Sequence, residues 1–231
     1  MTEHAAVPLF ANLKIWDDRG EGRRGAVNMA IDEALLGESG RIRTPVLRFY
    51  CWDRPTLSFG YFIPLAAASA SCRVGESMVR RWTGGGLVHH DSATTWSLAV
   101  PMTDAFCRLR PTDAYTQLHA VLARCLAAEG MTSIQLVSET HPTVPGGNCA
   151  EVPALGDLLW RGNKLAGAGQ RRTRQGLLHQ AAIFWTASQR LEQFPEFFAP
   201  SIAKQTSQFS VPVDWRLPVA RYEDPAWIAR F

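Results

Sequence analysis

The sequence of 231 residues lacks several features that would assign it to a class of protein at once. No apolar run approaches the 18 residues that predict a transmembrane helix. The N-terminal residues Met1-Thr2-Glu3-His4 are acidic where a signal peptide would be basic. Charged residues make up only 19%, and the net charge is +3, which does not favour a generic nucleic-acid binder. We expect a cytoplasmic protein of one large or two small α/β domains, with neither nucleic acid nor membrane as its partner.

The five cysteines also lack the spacing of a metal site or a disulfide framework, because they are widely separated and no pair reads C-x-x-C. Free thiols in a reducing compartment fit this pattern best. Most cysteines of this kind are packing residues. We therefore expect packing roles for four of them, namely Cys51, Cys72, Cys107 and Cys125.

Hydrophobic periodicity predicts helices over 25–37, from Pro111 to Gly130, and over 188–194. Strands are predicted over 45–50, 56–61, 78–81, 94–100, 134–137, 157–160, 164–169 and 177–185. The turn Asp53-Arg54-Pro55 predicts a hairpin between the first two of these strands. Because most strands follow one another directly, an antiparallel or mixed sheet is favoured over a doubly wound parallel one.

The segment Arg80-Arg81-Trp82-Thr83-Gly84-Gly85-Gly86 carries the sharpest signal. Each ordered glycine costs about 0.5–1 kcal/mol relative to alanine, which a fold tolerates where the backbone must lie flat against something. The two arginines favour a carbonyl, carboxylate or phosphate there. A flexible hairpin tip with two solvated arginines is the alternative. Neither a Walker A loop nor a Rossmann turn is present, which argues against a conventional nucleotide fold.

Cys149 differs from the other cysteines because it follows a Gly-Gly-Asn loop, where a core residue would be unusual. The segment 161–174 contains five basic residues and no acidic one. If these cations fold back toward Cys149, they support its thiolate. The alternative is a solvated basic turn.

Gly167 and Gly169 alternate with alanines and leave a strand with a bare backbone. Such a strand invites close approach by a ligand or by another backbone, and a bulge or tight packing is the alternative. His179, in an apolar strand, and His119, on a helix, are more typical of core histidines.

Together these segments resemble the lipoate–protein ligase and octanoyltransferase family, which shares its catalytic domain with biotin–protein ligases. The resemblance spans about residues 12–185 and includes Asn28-Met29-Ala30-Ile31-Asp32-Glu33. Arg-Arg-x-Thr-Gly-Gly-Gly-x-Val-x-His-Asp occurs at 80–91, and Gly-x-Lys-x-x-Gly-x-x-Gln-Arg at 162–171. The resemblance implies an α/β domain with a central sheet flanked by helices, similar to class II aminoacyl-tRNA synthetases. The catalytic domain would cover 12–190, and 191–231 would form a C-terminal extension packed on it.

By resemblance, Cys149 carries the acyl group as a thioester, and Lys164 contacts the acyl carbonyl or an acyl phosphate. The resemblance implies a larger set of substrate-binding residues: Arg80, Arg81, Thr83, Gly84, Gly85, Gly86, His90, Asp91, Gly167, Ala168, Gly169, Gln170 and His179. It implies no metal site. Two departures from the family pattern, Ile63 and Ala181, are expected near the acyl pocket.

The pattern Cys-x-x-x-Pro-x-x-x-Asp at 149–157 is similar to the octanoyltransferase branch. That branch moves an octanoyl group from acyl carrier protein to a lysine of a lipoyl domain, in 2-oxoacid dehydrogenases or the glycine cleavage H protein, without a cofactor. An ATP-dependent lipoate ligase, which uses ATP and Mg²⁺ and forms an acyl-adenylate, is the first alternative. The 46 residues after Trp185 are too few for the additional domain such ligases usually carry. A non-catalytic relative that binds acyl groups or lipoyl domains is the second alternative.

Overall fold

The computed structural model describes residues 8–91, 93–139, 153–184, 192–210 and 212–231. The strands in these ranges are β1 (Phe10–Arg23), β2 (Val46–Trp52), β3 (Thr56–Phe59), β4 (Ser77–Arg80), β5 (Leu87–His90), β6 (Thr94–Pro101), β7 (Ile134–Leu136), β8 (Leu158–Trp160), β9 (Asn163–Arg172), β10 (Gly176–Ile183) and β11 (Ala203–Gln208). The α-helices are α1 (Gly25–Gly37), α2 (Ser39–Ile42), α3 (Leu65–Ser71), α4 (Pro111–Ala128), α5 (Phe194–Ile202), α6 (Arg216–Glu223) and α7 (Pro225–Ile228).

Eight strands form one sheet in the order β11-β1-β2-β6-β10-β9-β8-β7, and a smaller sheet has the order β4-β3-β5. In the large sheet β1 runs parallel to β2 and β11. The remaining neighbours are antiparallel. The predicted mixed sheet in an α/β fold is therefore confirmed.

The predicted hairpin between the strands around 45–61 is wrong. Both edges of β2 are occupied, by β1 on one side and β6 on the other, so β3 has no edge of β2 to pair with. The turn at Asp53 instead carries the chain from the large sheet into the small one, where β3 pairs with β4 and β5.

Helices cover both faces of the large sheet. Successive side chains of a strand point to opposite faces, and both faces of this sheet carry apolar side chains that must be buried. Leu47 and Phe49 of β2 belong to the cluster that contains Leu118 of α4 and Phe198 of α5. Val46, from the same strand, packs on the opposite face against the apolar side of α1. The helices predicted over 25–37 and after Pro111 are both confirmed.

The C-terminal part adds elements to the same sheet. The observed helix α5 begins at Phe194, where the predicted helix over 188–194 ends, and residues 188–191 lie outside the described ranges. Pro195 occupies the first turn of α5, a position that tolerates proline. After it, β11 pairs with β1, and α6 packs against α1. The predicted boundary at residue 190 stays a prediction.

None of the helices in the described ranges combines the length and the apolar character needed to cross a bilayer.

Candidate active site

A cavity of about 490 Å³, including its open mouth, lies between the small sheet and the strands β9 and β10. Eight of its lining residues are among those predicted from the sequence: Arg81, Gly85, Gly86, His90, Lys164, Gly167, Ala168 and Gly169. One further lining residue, Ala181, was expected near the pocket, and nine others were not predicted: Met29, Tyr50, Trp52, Ser58, Val88, Thr95, Gln180, Ala182 and Phe184.

Lys164 reaches this cavity from the start of β9 as one half of a buried ion pair. Its Nζ lies 2.8 Å from Oδ2 of Asp157, and the two side chains are 6% and 1% exposed. The stem of Lys164 crosses directly over Gly167, since a Cβ at position 167 would lie 2.5 Å from the lysine Cε. A bare backbone at 167 is therefore what allows the ammonium group to lie along the cavity wall.

The glycine-rich loop packs against the same strand. A Cβ at Gly169 would lie 2.4 Å from the carbonyl oxygen of Gly84, a distance that real Cβ atoms essentially never show. Gly85, at the exposed tip, has a φ of +92°, which a side chain would strain. The close approach predicted for the glycine strand is thus made by another backbone at Gly169 and by a lysine side chain at Gly167.

Arg81 and His90 share one hydrogen-bonded serine at the cavity wall. Nη1 of Arg81 donates to Oγ of Ser58 over 2.7 Å, and Nη2 donates to the carbonyl oxygen of Gly86 over 2.9 Å. Nε2 of His90 lies 2.7 Å from the same Ser58 oxygen. Burial, with the Arg81 charge as a second cause, holds the pKa of His90 well below its usual value. His90 is therefore a neutral imidazole at physiological pH.

A second set of hydrogen-bonded side chains, which the sequence did not predict, connects the glycine-rich loop to α1. The Thr83 hydroxyl donates to Oε1 of Gln180, and Nε2 of Gln180 donates to Oδ2 of Asp32, each over 2.7 Å. The Asp32 carboxylate also accepts hydrogen bonds from Arg48, Ser97 and Tyr50. The signal in the sequence was Gln180 itself. A polar side chain in a mostly apolar strand is expected to be buried, and a buried polar side chain needs hydrogen-bond partners.

Six of the predicted substrate-binding residues do not border the cavity, namely Arg80, Thr83, Gly84, Asp91, Gln170 and His179. The guanidinium of Arg80 is turned away and donates to backbone carbonyls, among them Tyr61 and Ile228. Asp91 is exposed and pairs with Arg73. Gln170 and His179 hydrogen-bond to each other, Nε2 to Nδ1, over 3.1 Å.

His119 and His179 are both fully buried, as the core interpretation of these histidines predicted. Nδ1 of His119 lies 2.7 Å from the carbonyl oxygen of Gly156, so this nitrogen carries the proton. Burial lowers the pKa of His119 to about 4 and the pKa of His179 well below its usual value.

The packing roles predicted for the cysteines are confirmed for Cys107 and Cys125, which are buried, whereas Cys51 and Cys72 are only half-buried. All four are free thiols. Cys149 lies outside the described residues, so its place beside Lys164 stays a prediction. Within the described part of the chain, no three His, Cys, Asp or Glu side chains gather into a metal site.

Of the two departures from the family pattern, Ala181 borders the cavity as expected. Ile63 does not border it and instead packs against the core cluster of the small sheet that includes Phe59. Its carbonyl oxygen accepts a hydrogen bond from Arg80. The expectation that residue 63 lies at the pocket is therefore wrong.

The model of the lipoyl protein ligase A/B catalytic domain matches residues 24–221. The octanoyltransferase LipM of Oceanobacillus iheyensis is 34% identical over 165 residues, covering 68% of this chain and 59% of that protein. The LipM of Staphylococcus epidermidis is 32% identical over 188 residues, covering 74% of this chain and 66% of that protein. The chain thus spans about three fifths to two thirds of the length of these relatives.

Solved structures show the same fold at low sequence identity. Protein Ta0514 from T. acidophilum superposes with a TM-score of 0.72 at 16% identity, covering 96% of this chain and all of that one. A lipoate-protein ligase A bound with ATP superposes with a TM-score of 0.66 at 16% identity, covering 95% of this chain and 98% of that one. The match to the family model, over most of the chain, decides the assignment: this chain belongs to the lipoyl protein ligase A/B catalytic domain family.

Proposed function

We propose that this protein transfers an octanoyl group from acyl carrier protein to a lysine of a lipoyl domain, through a thioester on Cys149. The observation that carries the proposal is the buried Lys164–Asp157 pair at the wall of a largely apolar cavity. It is supported by the similarity to relatives named octanoyltransferase LipM.

In the first step the Cys149 thiolate attacks the thioester carbonyl of the acyl donor. A new carbon–sulfur bond forms to Cys149, the bond to the carrier sulfur breaks, and the proton from Cys149 ends on the released carrier thiol. Lys164 donates a hydrogen bond to the oxyanion that develops on the carbonyl oxygen. Loss of one such donor costs about 3–4 kcal/mol of transition-state stabilisation in comparable sites.

In the second step the ε-amine of the lipoyl-domain lysine attacks the acyl-enzyme carbonyl. An amide bond forms, the bond to Cys149 breaks, and one amine proton returns to the thiol. The donor thioester already contains the free energy that drives amide formation, so this reaction needs no nucleotide and no metal.

The cavity wall fits a saturated acyl chain. Aliphatic and aromatic side chains of Met29, Val88 and Phe184 line it, together with the small residues Ala181 and Ala182. One methylene contributes about 0.8 kcal/mol, which is only about fourfold in affinity. Chain length must therefore be selected by steric closure of the cavity rather than by contact area alone.

We place this chemistry in the cytoplasm, because a thioester on a cysteine requires a reduced thiol and a reducing compartment maintains one. The four described cysteines are free, in keeping with such a compartment.

The decisive experiment mixes the protein with octanoyl–acyl carrier protein and follows the intact mass, then adds an apo lipoyl domain with and without ATP. We expect an octanoyl adduct that is absent in Cys149→Ala, retained in the control Cys72→Ser, and passed to the lipoyl domain without ATP. Lys164→Ala should lower the transfer rate by two to three orders of magnitude, about the loss of one oxyanion donor.

Two results would contradict the proposal. Transfer that needs ATP and free octanoate, with release of pyrophosphate, identifies an ATP-dependent ligase. Binding of both carriers without an adduct or a product identifies a non-catalytic relative.

A further inference from the structure

Three arginines and three aromatic side chains alternate in a closed circuit that is exposed at Arg221 and Arg230 and buried at Trp227. We call this circuit the arginine–aromatic ring, and it consists of Arg171, Trp82, Arg221, Trp227, Arg230 and Tyr61. Each guanidinium carbon lies 5.1–5.8 Å from the centroids of two aromatic rings. These distances are within the range of about 6 Å for cation–π attraction.

The arginine–aromatic ring is connected to the glycine-rich loop through the chain itself. Trp82 directly follows Arg81, which lines the cavity, and directly precedes Thr83 of the glycine-rich loop. Tyr61 donates its backbone N–H to the carbonyl oxygen of Thr83 over 2.9 Å. Arg171 continues β9, two residues beyond the lining residue Gly169. A molecule that rests on this ring therefore lies beside the glycine-rich loop, whose residues Gly85 and Gly86 line the cavity.

The composition of the ring is that of a protein-binding surface. Arginine, tryptophan and tyrosine are the residues most enriched at interface hot spots. Because the aromatic rings hold the guanidinium groups in place, little side-chain entropy is lost when an anionic group binds. Phe62, which packs edge-on against Tyr61, is 69% exposed and extends the apolar part of the surface.

The ring also retains a positive charge that its own surroundings do not balance. Among the described residues, Arg221 pairs with Glu33, whereas Arg171 and Arg230 form no ion pair. A partner with exposed carboxylates complements this charge. Arg230 is already exposed, so the protein need not rearrange to present it.

We propose that the arginine–aromatic ring docks the acceptor lipoyl domain, through acidic side chains around the lysine to be modified. This inference rests on the proposed octanoyl transfer. The acceptor amine sits on a four-carbon stem, so its domain must dock next to the cavity entrance. The donor acyl group is carried on a much longer prosthetic arm, which lets its carrier dock farther away.

The test measures binding of an apo lipoyl domain to the intact protein by titration calorimetry, at low and at moderate salt. Arg230→Glu should weaken this binding about tenfold, and Arg171→Gln should weaken it by a smaller factor. The matched control is Arg161→Glu, because Arg161 also stacks on an aromatic ring, at 4.4 Å from Trp160, but lies outside the ring defined above. It should change the dissociation constant less than about twofold.

A second readout separates docking from catalysis. The rate at which octanoyl–acyl carrier protein acylates Cys149 should be unchanged in Arg230→Glu, while KM for the lipoyl domain rises. If Arg230→Glu slows acylation and leaves lipoyl-domain binding intact, the surface serves the donor and the proposal is wrong. The proposal is also overturned if Arg230→Glu changes neither the dissociation constant nor the KM for the lipoyl domain. Failure of wild-type transfer, in contrast, would refute the proposed function, and the calorimetric result would still decide the docking.

Discussion

Lys164 and Asp157 face each other across the turn between β8 and β9, with 2.8 Å between the ammonium nitrogen and Oδ2 of the carboxylate. Asp157 is fixed in turn by the hydroxyl of Tyr115 at 2.5 Å and by the backbone N–H of Ala154 at 2.6 Å. The Tyr115 oxygen also accepts the backbone N–H of Ala168, a lining residue of the cavity. The carboxylate therefore sets the position of the lysine relative to the cavity wall.

Replacing Asp157 by asparagine should destabilise the protein strongly, because it removes the carboxylate that pairs with the buried ammonium of Lys164. Breaking a buried pair in this way costs about 3–5 kcal/mol in the free energy of unfolding. Urea unfolding at neutral pH measures this cost. The control Asp214→Asn removes a carboxylate from the exposed pair with Arg216, which solvent screens, and should leave the free energy of unfolding nearly unchanged. Equal, small losses in the two variants would show that the Lys164–Asp157 pair does not stabilise the fold.

Alanine at position 169 should push the glycine-rich loop away from β9. Its Cβ would meet the Gly84 carbonyl oxygen at 2.4 Å and the Thr83 hydroxyl at 3.0 Å, and the first of these is backbone that cannot rotate away. Overpacking of this kind costs about 1–3 kcal/mol. Thermal unfolding should register the loss, and the acylation rate should fall with it. Gly20→Ala is the matched control, since that strand glycine has no atom within 4 Å of an added Cβ. A similar melting temperature for both variants would contradict the close contact.

The features predictable from the sequence are those set by local pattern. Helices α1 and α4 follow from the spacing of their apolar residues, and the glycines of β9 indicate a close backbone approach. The family resemblance adds Lys164 to this list, and the structure places it at the cavity.

The features that escaped prediction depend on partners far apart in the chain. Strand β1 pairs with β11, almost 200 residues later, and no local signal encodes a parallel neighbour at that separation. The hydrogen bond between Gln180 and Asp32 links positions 148 residues apart. The orientation of Arg80 could not be predicted for the same reason. Arg80 and Arg81 are adjacent in sequence, but their guanidinium groups have different and distant partners.

The hydroxyl of Thr83 should be needed to hold the glycine-rich loop in place. Thr83→Val keeps the shape of the side chain but leaves Oε1 of the buried Gln180 without its donor at 2.7 Å. An unsatisfied buried acceptor costs about 1–3 kcal/mol. We expect Thr83→Val to lower stability by this amount and to slow acylation of Cys149, whereas Thr83→Ser retains the hydroxyl and should lose little in either assay. A serine variant as impaired as the valine variant would assign the effect to packing of the methyl group instead.

Acid should destabilise the protein below about pH 6.5, through histidines that are buried in the neutral form. Burial lowers the pKa of His119 in the folded state to about 4, against about 6.5 in the unfolded chain. Between these values the unfolded state binds a proton that the folded state does not, so stability is complete above pH 6.5 and falls as the pH falls toward 4. For His119 alone the loss amounts to about 3 kcal/mol by the lower end of this window.

His119→Asn isolates this contribution, because the asparagine amide can still donate to the carbonyl oxygen of Gly156 but does not titrate. The variant keeps the buried His90 and His179, whose pKa values are also lowered, so its stability still decreases in acid. Between pH 6 and 4.5 its slope of unfolding free energy against pH should be smaller than that of the wild type by about 1.4 kcal/mol per unit, the value of one proton. Urea unfolding at several pH values measures both slopes. Parallel slopes for the two proteins would mean that His119 is protonated to the same extent in the folded and unfolded chain, and that its burial does not keep it neutral.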